Sequence, residues 1–282
     1  MEVYRRGTDQ ALFDWYSSLY DKSDSDVARL VCETRRRSPL KVTPIEVQTV
    51  LCISHANRMT INARQNTAFA ALHEAGGKHT VHLEWSGEEL KGTTCQPQSM
   101  NIWEGVHLIA CPRGSGKTTL GVVQGVVYSV ENISEDTVTL KMMPEYCKGT
   151  ATPLELDTEV DEFEGRHCGQ MGTPEGLAFP NAQPELVDVS KAKEEVTVPL
   201  ADVPAVLRLT HAMCYYTVQG RTLRGHTLLL DTSHPQFSRR ALIVGLSRTT
   251  HGDHVHVATD EDAKIFLGER RRTLKAKRVL TA

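Results

Sequence analysis

Two groups of residues in this chain have the chemistry to bind nucleotide phosphates. The first is Gly114–Thr119, a run of glycine, serine, lysine and threonine of the kind whose backbone N–H groups and lysine surround phosphates. The second begins with Gln219, Gly220 and Thr222 and continues about two dozen residues later with Arg248. An arginine in such a place stabilises the negative charge that develops on a phosphoryl group during its transfer. The function of the chain depends on which of the two groups binds the nucleotide.

The first group matches only part of the phosphate-loop pattern G-x-x-x-x-G-K-[ST], because Cys111 stands where the first glycine belongs. A strand can precede the loop at Val106–Ala110. A helix after it is disfavoured, since Leu120–Tyr128 contains two glycines and four valines, which cost about 1 kcal/mol per glycine and a few tenths per valine. We therefore expect a strand there and interpret Gly114–Thr119 as a basic hairpin tip. The alternative is a self-contained P-loop NTPase or kinase that uses Gly114, Gly116, Lys117 and Thr118.

The composition is that of an ordinary globular protein, with 282 residues, of which 40% are hydrophobic and 24% charged. A net charge of -3 excludes a polycation, so any contact with nucleic acid requires a local basic surface. The seven cysteines have no C-x-x-C spacing and are expected to be reduced thiols. The chain has no apolar stretch of membrane-spanning length and no signal peptide, so we expect an intracellular, soluble protein without a membrane partner.

The elements that must position these residues are of α/β type at both ends of the chain. Residues 9–20 have the apolar spacing of a helix, and Arg35–Pro39 has the composition of a solvated loop. Val47–Ile53 is predicted to be a strand, and Ser54 is a good N-cap for the following helix, which ends at Gly76-Gly77.

The C-terminal part is predicted to continue the same pattern. We expect a helix around 212–219, a strand at 227–231, a second helix around 236–246, a strand at 254–258 and a last helix from Asp260, which leads into a basic run. Three histidines near these last elements are expected to be exposed to solvent rather than to bind a metal, and no metal site is predicted; they are His251, His254 and His256.

Between the two ends, short apolar runs alternate with glycine, proline and acidic turns, which is typical of β-hairpins. Residues 144–194 are acidic and are expected to form a long exposed loop. The chain is therefore predicted to form one α/β domain from residues 1–80 and 201–282, interrupted at 81–200 by a β-rich module with an acidic loop.

Two segments, Ala212–Thr222 and Leu242–Thr250, resemble the last two motifs of superfamily 1 helicases, A-x-T-x-H-x-x-Q-G-x-T and V-A-L-S-R-A. Two further stretches fit the same family. The N-terminal Tyr4-Arg5-Arg6, with Asp9 and Phe13, resembles the arginine motif f-R-Q-x-x-D-x-x-F. The runs on either side of Gly114–Thr119 resemble the strands of the small β-barrel that RecD/Pif-type helicases insert into their second RecA-like domain.

The resemblance implies a RecA-like parallel sheet with an inserted barrel-like module, acting as the second motor domain of a helicase. In such motors, ATP and Mg²⁺ lie between two RecA-like domains, and the second domain supplies arginines to the γ-phosphate. It implies that Arg248 and Arg5 are catalytic and that Gln219, Gly220 and Arg248 contact the nucleotide. The residues it implies for nucleic-acid contact are Ser54, His55, Asn57, Tyr216, Thr217 and Thr222.

The chain departs from the family at four positions, where threonine, histidine, lysine and serine are replaced by Cys214, Tyr216, Thr217 and Val218. The replaced residues normally grip phosphates and bases, so contact with the strand is expected to be weaker, although Tyr216 can stack on a base. The first RecA-like domain, with its phosphate loop and Mg²⁺ ligands, is expected to be missing from this chain and to act as a partner in cis or in trans.

The resulting hypothesis is one half of a viral or replication-related helicase that acts on single-stranded or duplex nucleic acid, with DNA favoured over RNA. A non-catalytic nucleic-acid-binding module is a further alternative.

Overall fold

The computed structural model describes residues 9–87, 96–111, 120–143, 193–219 and 221–268. Within these ranges, no helix is long and apolar enough to cross a membrane. The helices are α1 (Gln10–Ser18), α2 (Val27–Arg37), α3 (His55–Ala75), α4 (Val203–Val206), α5 (Arg239–Ser247) and α6 (Asp260–Leu267). The strands are β1 (Val47–Cys52), β2 (Val81–Leu83), β3 (Met100–Ile102), β4 (His107–Ala110), β5 (Val127–Ile133), β6 (Thr137–Met142), β7 (Glu195–Pro199), β8 (Leu207–Leu209), β9 (Ala212–Cys214), β10 (His226–Leu229) and β11 (Val255–Val257).

Both ends of the chain contribute to a parallel sheet with the strand order β11-β10-β1-β9. Its strands are short and mostly apolar, as expected for strands that helices cover on both faces. One face packs against α1, α2 and α5 through residues such as Leu51 and Leu229. The other face packs against α3 and α6 through residues such as Val50 and Leu228. The result is a three-layer α/β domain.

The middle of the chain forms an antiparallel sheet with the strand order β7-β6-β5-β4-β8, and β2 pairs separately with β3. These strands enclose a second core, in which Leu108, Tyr128 and Leu140 are fully buried. Only Thr210 and His211 separate β8 in this sheet from β9 in the parallel sheet. The predicted fold class, a RecA-like parallel α/β domain with an inserted β-rich module, is confirmed.

Elements with strong local signals lie where the sequence predicts them. The side chain of Ser54 accepts a hydrogen bond from the backbone N–H of Asn57, as an N-cap does, and α3 ends at Gly76. Helix α5 and strand β11 also agree with the predicted ranges. Residues 144–192 of the predicted acidic loop, and the basic run after 268, lie outside the described residues.

Three local predictions are wrong. Residues 212–219 form β9 and a series of turns instead of a helix, because Ala212–Cys214 pairs in register with β1. Arg35–Arg37 is the last turn of α2 rather than a loop, and Arg35 donates a hydrogen bond to the carbonyl of Ala258 at 2.9 Å. The strand predicted at Leu120–Tyr128 begins only at Val127, since the preceding stretch turns through positive φ angles.

Candidate nucleotide and nucleic-acid site

The carboxyl edge of the parallel sheet brings together the segments that follow β1, β9 and β10. Because these strands are parallel neighbours, the residues after each of them emerge at the same edge, where ligands of open α/β sheets bind. Ser54 follows β1, Tyr216 follows β9 and Asp231 follows β10. Residues from three distant parts of the sequence thus meet at one edge.

Asp231 joins two of these segments. One carboxylate oxygen, Oδ2, accepts hydrogen bonds from the backbone N–H groups of Ile53 at 2.8 Å and Ser54 at 2.9 Å. The other, Oδ1, accepts a hydrogen bond from the side-chain amide of Asn57 at 2.8 Å. Asp231 has a φ of 55°, a left-handed conformation that aspartate tolerates better than most residues. The carboxylate therefore fixes the start of α3 against the end of β10.

The predicted nucleic-acid contacts at the start of α3 differ in exposure. His55 is the first residue of the helix and is exposed, whereas Ser54 and Asn57 are half-buried. The hydroxyl of Ser54 caps the helix, and the amide of Asn57 donates to Asp231. Ser54 and Asn57 thus shape this corner, while His55 beside them is accessible to solvent.

Cys214 ends β9 beside this corner. Its sulfur lies 3.6 Å from Nδ1 of His55, and Cys52 is its register partner on β1. The hydrogen bond between the two cysteines lowers the pKa of Cys214 to about 5, and His55 and Arg58 act in the same direction against the effect of burial. The same hydrogen bond, with burial, raises the pKa of Cys52. Of the two thiols, Cys214 has the surroundings that favour a thiolate.

The turns after β9 hold the next predicted residues. Tyr216 is 51% exposed, so its ring is not part of the buried core. The backbone N–H of Thr217 donates to the carbonyl of Cys214 at 2.8 Å, and that of Gln219 donates to the carbonyl of Tyr216 at 3.3 Å. Thr222 is half-buried, as are Thr217 and Gln219. This short run of turns presents its aromatic ring to solvent while the backbone stays internally bonded.

The two segments singled out in the sequence are in direct contact. The backbone N–H of Leu223 donates to the carbonyl of Arg248 at 2.7 Å, and Leu223 forms a parallel bridge with Thr249. Gly245 packs so closely beneath Tyr215 that a Cβ atom there would lie 3.3 Å from the tyrosine ring. Segments that are more than twenty residues apart in the chain therefore form one local unit.

Arg248 caps the C-terminus of α5 and is half-buried. Its guanidinium donates to the hydroxyl of Ser247, with Nη2 at 3.1 Å and Nε at 3.3 Å. The segment that follows it contacts the N-terminal motif, because the carboxylate of Asp9 accepts the backbone N–H of Gly252 at 2.7 Å. Hydrogen bonds from Leu12 and Gly252 lower the pKa of Asp9. Asp9, a described residue of the N-terminal motif, is thus anchored to the segment that follows Arg248.

Several predicted residues lie outside the described part of the chain: Arg5, Gly114, Gly116, Lys117, Thr118 and Gly220. The strands on either side of the glycine–lysine loop are described, and they are antiparallel, with Leu108 opposite Tyr128. The stretch from Leu120 to Val126 is made of turns, with no helix. A phosphate loop requires a helix directly after it, so this geometry disfavours the P-loop alternative.

The histidines near β11 are less exposed than expected. His256 is only 3% exposed, and its Nε2 lies 2.9 Å from Nδ1 of His226. The predicted exposure is therefore wrong for His256, while His251 is exposed. Among the described residues, no group of three or more His, Cys, Asp or Glu side chains could hold a metal ion.

Sequence analysis missed the structural roles of Asp231 and Arg221. Asp231 ends an apolar run, which indicates only the end of a buried strand. Arg221 is 1% exposed and donates to the carbonyls of Thr217, at 2.9 Å, and Gly125. Its position inside a motif segment, between Gly220 and Thr222, is the only local signal for it.

No protein-family model matches this sequence, and no curated protein matches it. Solved structures do. The crystal structure of Bacteroides Pif1 bound to ssDNA is 13% identical, with a TM-score of 0.47, and the match covers 92% of this chain and 50% of that one. Pif1 helicase from Candida albicans is 15% identical, with a TM-score of 0.45, and the match covers 94% of this chain and 57% of that one. The chain thus spans about half the length of these structures. At such low identities and TM-scores, the likeness assigns no role to any individual residue of this chain.

Proposed function

We propose that this chain is the second motor domain of an ATP-dependent nucleic-acid helicase. The observation that carries the proposal is that Leu223, the residue directly after the first motif segment, donates to the carbonyl of Arg248 in the second segment, beside the parallel sheet. A motor domain needs such a contact, because the residues that sense the nucleotide must be coupled mechanically to those that touch the strand.

In this proposal, the nucleotide is shared with a first RecA-like domain, in cis or in trans, which supplies the phosphate loop and the Mg²⁺ ligands. This chain supplies Arg248 to the γ-phosphate, with Arg5 as a second arginine and Gln219 and Gly220 beside them. A half-buried arginine at a helix end suits a phosphate group, because its planar fork of donors matches phosphate oxygens and its charge opposes the developing negative charge.

The nucleic-acid strand is proposed to cross the carboxyl edge of the sheet. The exposed ring of Tyr216 offers a stacking platform, and the exposed imidazole of His55 offers a donor to a phosphate. Ser54, Asn57, Thr217 and Thr222 are proposed to line the same path. The preference for DNA over RNA rests on the resemblance of the N-terminal motif and the hairpin strands to RecD/Pif-type helicases.

The test is ATP turnover by the assembled motor, which is this chain together with its first ATPase domain and a single-stranded oligonucleotide. Arg248→Ala should lower kcat by about 10³-fold or more, the usual effect of removing an arginine finger. Arg240→Ala, which changes an exposed arginine on the same helix, is the matched control and should leave turnover unchanged.

Equal turnover in the Arg248→Ala and Arg240→Ala proteins would contradict the proposal. Lys117→Ala separates it from the P-loop alternative, because only that alternative requires Lys117 to contact the phosphates; in our proposal, nucleotide binding should stay intact. Loss of nucleotide affinity in Lys117→Ala, with Arg248→Ala unaffected, would favour the self-contained NTPase.

A further inference from the structure

Two cysteines lie side by side at the carboxyl edge of the parallel sheet. Cys52 ends β1 and Cys214 ends β9, and the two residues are register partners in adjacent parallel strands. Cys52 has no exposed surface, and Cys214 is 8% exposed. Register partners project from the same face of a sheet, so the two cysteine side chains lie next to one another.

The surroundings of the pair are unequal. The thiol of Cys52 donates its single hydrogen to the carbonyl of Met213 at 3.7 Å and is buried in the core beneath α3. Cys214 instead contacts the imidazole of the exposed His55 at 3.6 Å, at the N-terminus of α3, with the charge of Arg58 close by. A histidine, an arginine and a helix N-terminus all stabilise a thiolate, and the lowered pKa of Cys214 agrees with that geometry.

The spacing of the strands suits a covalent bond between the two sulfurs. Neighbouring strands in a sheet lie about 4.8 Å apart. A disulfide spans Cα–Cα distances of about 4.4 to 6.8 Å. Register partners on adjacent strands therefore need little backbone movement to form one.

We propose that Cys214 is a peroxide-reactive thiolate and that Cys52 is its resolving thiol, so that oxidation closes a disulfide between β1 and β9. In the first step, the Cys214 thiolate attacks one oxygen of hydrogen peroxide, the O–O bond breaks, and the other oxygen leaves as hydroxide, which gives a sulfenic acid on Cys214. In the second step, Cys52 loses its proton and attacks the Cys214 sulfur, and the sulfenic oxygen leaves as water. Two thiols are oxidised by two electrons in total, and one peroxide is reduced to two waters.

The disulfide would tie Cys214, the residue just before the turns that carry Tyr216 and Gln219, to β1. If the proposed function holds, oxidation therefore changes strand binding by restricting that segment. The chemistry of the thiols does not require the proposed function, and it can be tested without any nucleic acid.

The first experiment treats the full chain with hydrogen peroxide, blocks the remaining thiols with iodoacetamide and identifies cross-linked peptides by mass spectrometry. The wild-type chain should yield the Cys52–Cys214 disulfide. Cys52→Ser should instead accumulate a sulfenic acid on Cys214 that dimedone traps, and Cys214→Ser should yield neither product. Exposed Cys32 is the positive control, because its modification shows that the reagents are active. Oxidation of Cys32 with Cys214 unchanged, or a lasting sulfenic acid in the wild-type chain, would overturn the proposal.

The second experiment keeps both cysteines and so avoids variants that fold poorly. The rate of iodoacetamide labelling at Cys214 is measured from pH 9 to pH 6 in the His55→Gln chain and in the wild type. A thiol of ordinary pKa slows more than about 100-fold over this range, because it loses its thiolate. Cys214 in the wild type should slow by less than about twofold, and His55→Gln should slow more steeply. A wild-type profile that falls as steeply as that of an ordinary thiol would contradict the assignment.

Discussion

Asp231 shows how one residue can fix the geometry of the whole edge. Its carboxylate accepts three hydrogen bonds, from the backbones of Ile53 and Ser54 and from the side chain of Asn57. Hydrogen bonds to a charged group contribute about 1.5–3 kcal/mol each, more than neutral ones. Three of them on one side chain offset the cost of its left-handed backbone, which is about 1–2 kcal/mol. Asp231, which follows β10, therefore holds the start of α3 in place.

Tyr216→Ala is predicted to weaken the binding of single-stranded DNA. Stacking of a base on an aromatic ring contributes about 1–3 kcal/mol, so the Kd should rise about 5- to 150-fold. The measurement is fluorescence anisotropy with a labelled oligothymidine at one fixed salt concentration, since phosphate contacts depend on salt.

The control for that experiment is Tyr20→Ala. Tyr20 is as exposed as Tyr216, at 58% against 51%, but it follows α1 and is not among the residues proposed to line the strand path. Tyr216→Phe should keep most of the affinity, because the ring is what stacks. Similar affinities for the two alanine variants would remove Tyr216 from the proposed path.

The residues that sequence analysis identified are those whose partners are near in the chain. Ser54 was predictable as a cap because it bonds to Asn57, three residues away. The partner of Asp231 in the same corner is 177 residues away, and only the pairing of β1 with β10 brings them together. Arg248 and Gln219 were found through a resemblance, which carries information on distant contacts that local patterns do not.

At the scale of elements, the short joint between β8 and β9 connects the two sheets. The joint consists of Thr210 and His211, and the ring of His211 stacks on Phe69 of α3, with the ring centroids 5.1 Å apart. Trp103 lies on the other side, with its centroid 6.4 Å from that of His211. The predicted helix at 212–219 fails here, because pairing with β1 outweighs the weak helical preference of the sequence.

The joint should make stability depend on pH. Burial, together with His107, lowers the pKa of His211 to about 4, whereas an unfolded histidine titrates near 6.5. Between these two pKa values, His211 is protonated in the unfolded chain and neutral in the folded one. The free energy of unfolding therefore falls as pH drops from about 6.5 towards 4. Between pH 7 and pH 4.5, the free energy of unfolding should fall by about 2–3 kcal/mol through this residue.

Urea unfolding at the two pH values measures that loss. His211→Phe keeps an aromatic ring at the joint and removes the titration, so it should be less sensitive to acid than the wild type. His79→Phe, at an exposed position, is the matched control and should behave like the wild type. A wild-type sensitivity that survives His211→Phe undiminished would assign the effect to other groups, such as buried His256.

At the scale of the whole molecule, the two sheets meet around a cavity of about 280 Å³. Residues of β1 and the loop before β10 line one side, and His107 and Val127 of the antiparallel sheet line the other. The sequence has α/β patterns at both ends and β-hairpin patterns in the middle. This change predicted that a β-rich module interrupts the α/β domain. The sequence pattern could not predict how the two modules pack, because each residue at their contact has its partner in the other module, far away in the chain.

Arg221 is the side chain that bridges the two modules most directly. It lies in the turn after β9 and is fully buried, and its guanidinium donates to Thr217 in its own module and to Gly125 in the antiparallel module. Arg221→Met fills a similar volume but leaves both carbonyls without this donor. A polar group that loses its partner on burial costs about 1–3 kcal/mol, so losing both bonds should lower the free energy of unfolding by about 2–6 kcal/mol.

The loss should be localised to the contact between the modules. Hydrogen exchange should accelerate at the turn around Gly125 and at Thr217–Leu223 more than within β1 or β5, because the bridge rather than either core is removed. Arg224→Met is the matched control, since Arg224 is three residues away on the same segment and exposed. If Arg221→Met and Arg224→Met unfold at the same urea concentration with the same exchange pattern, the two modules are held together by their apolar contacts, and the buried arginine contributes nothing to their coupling.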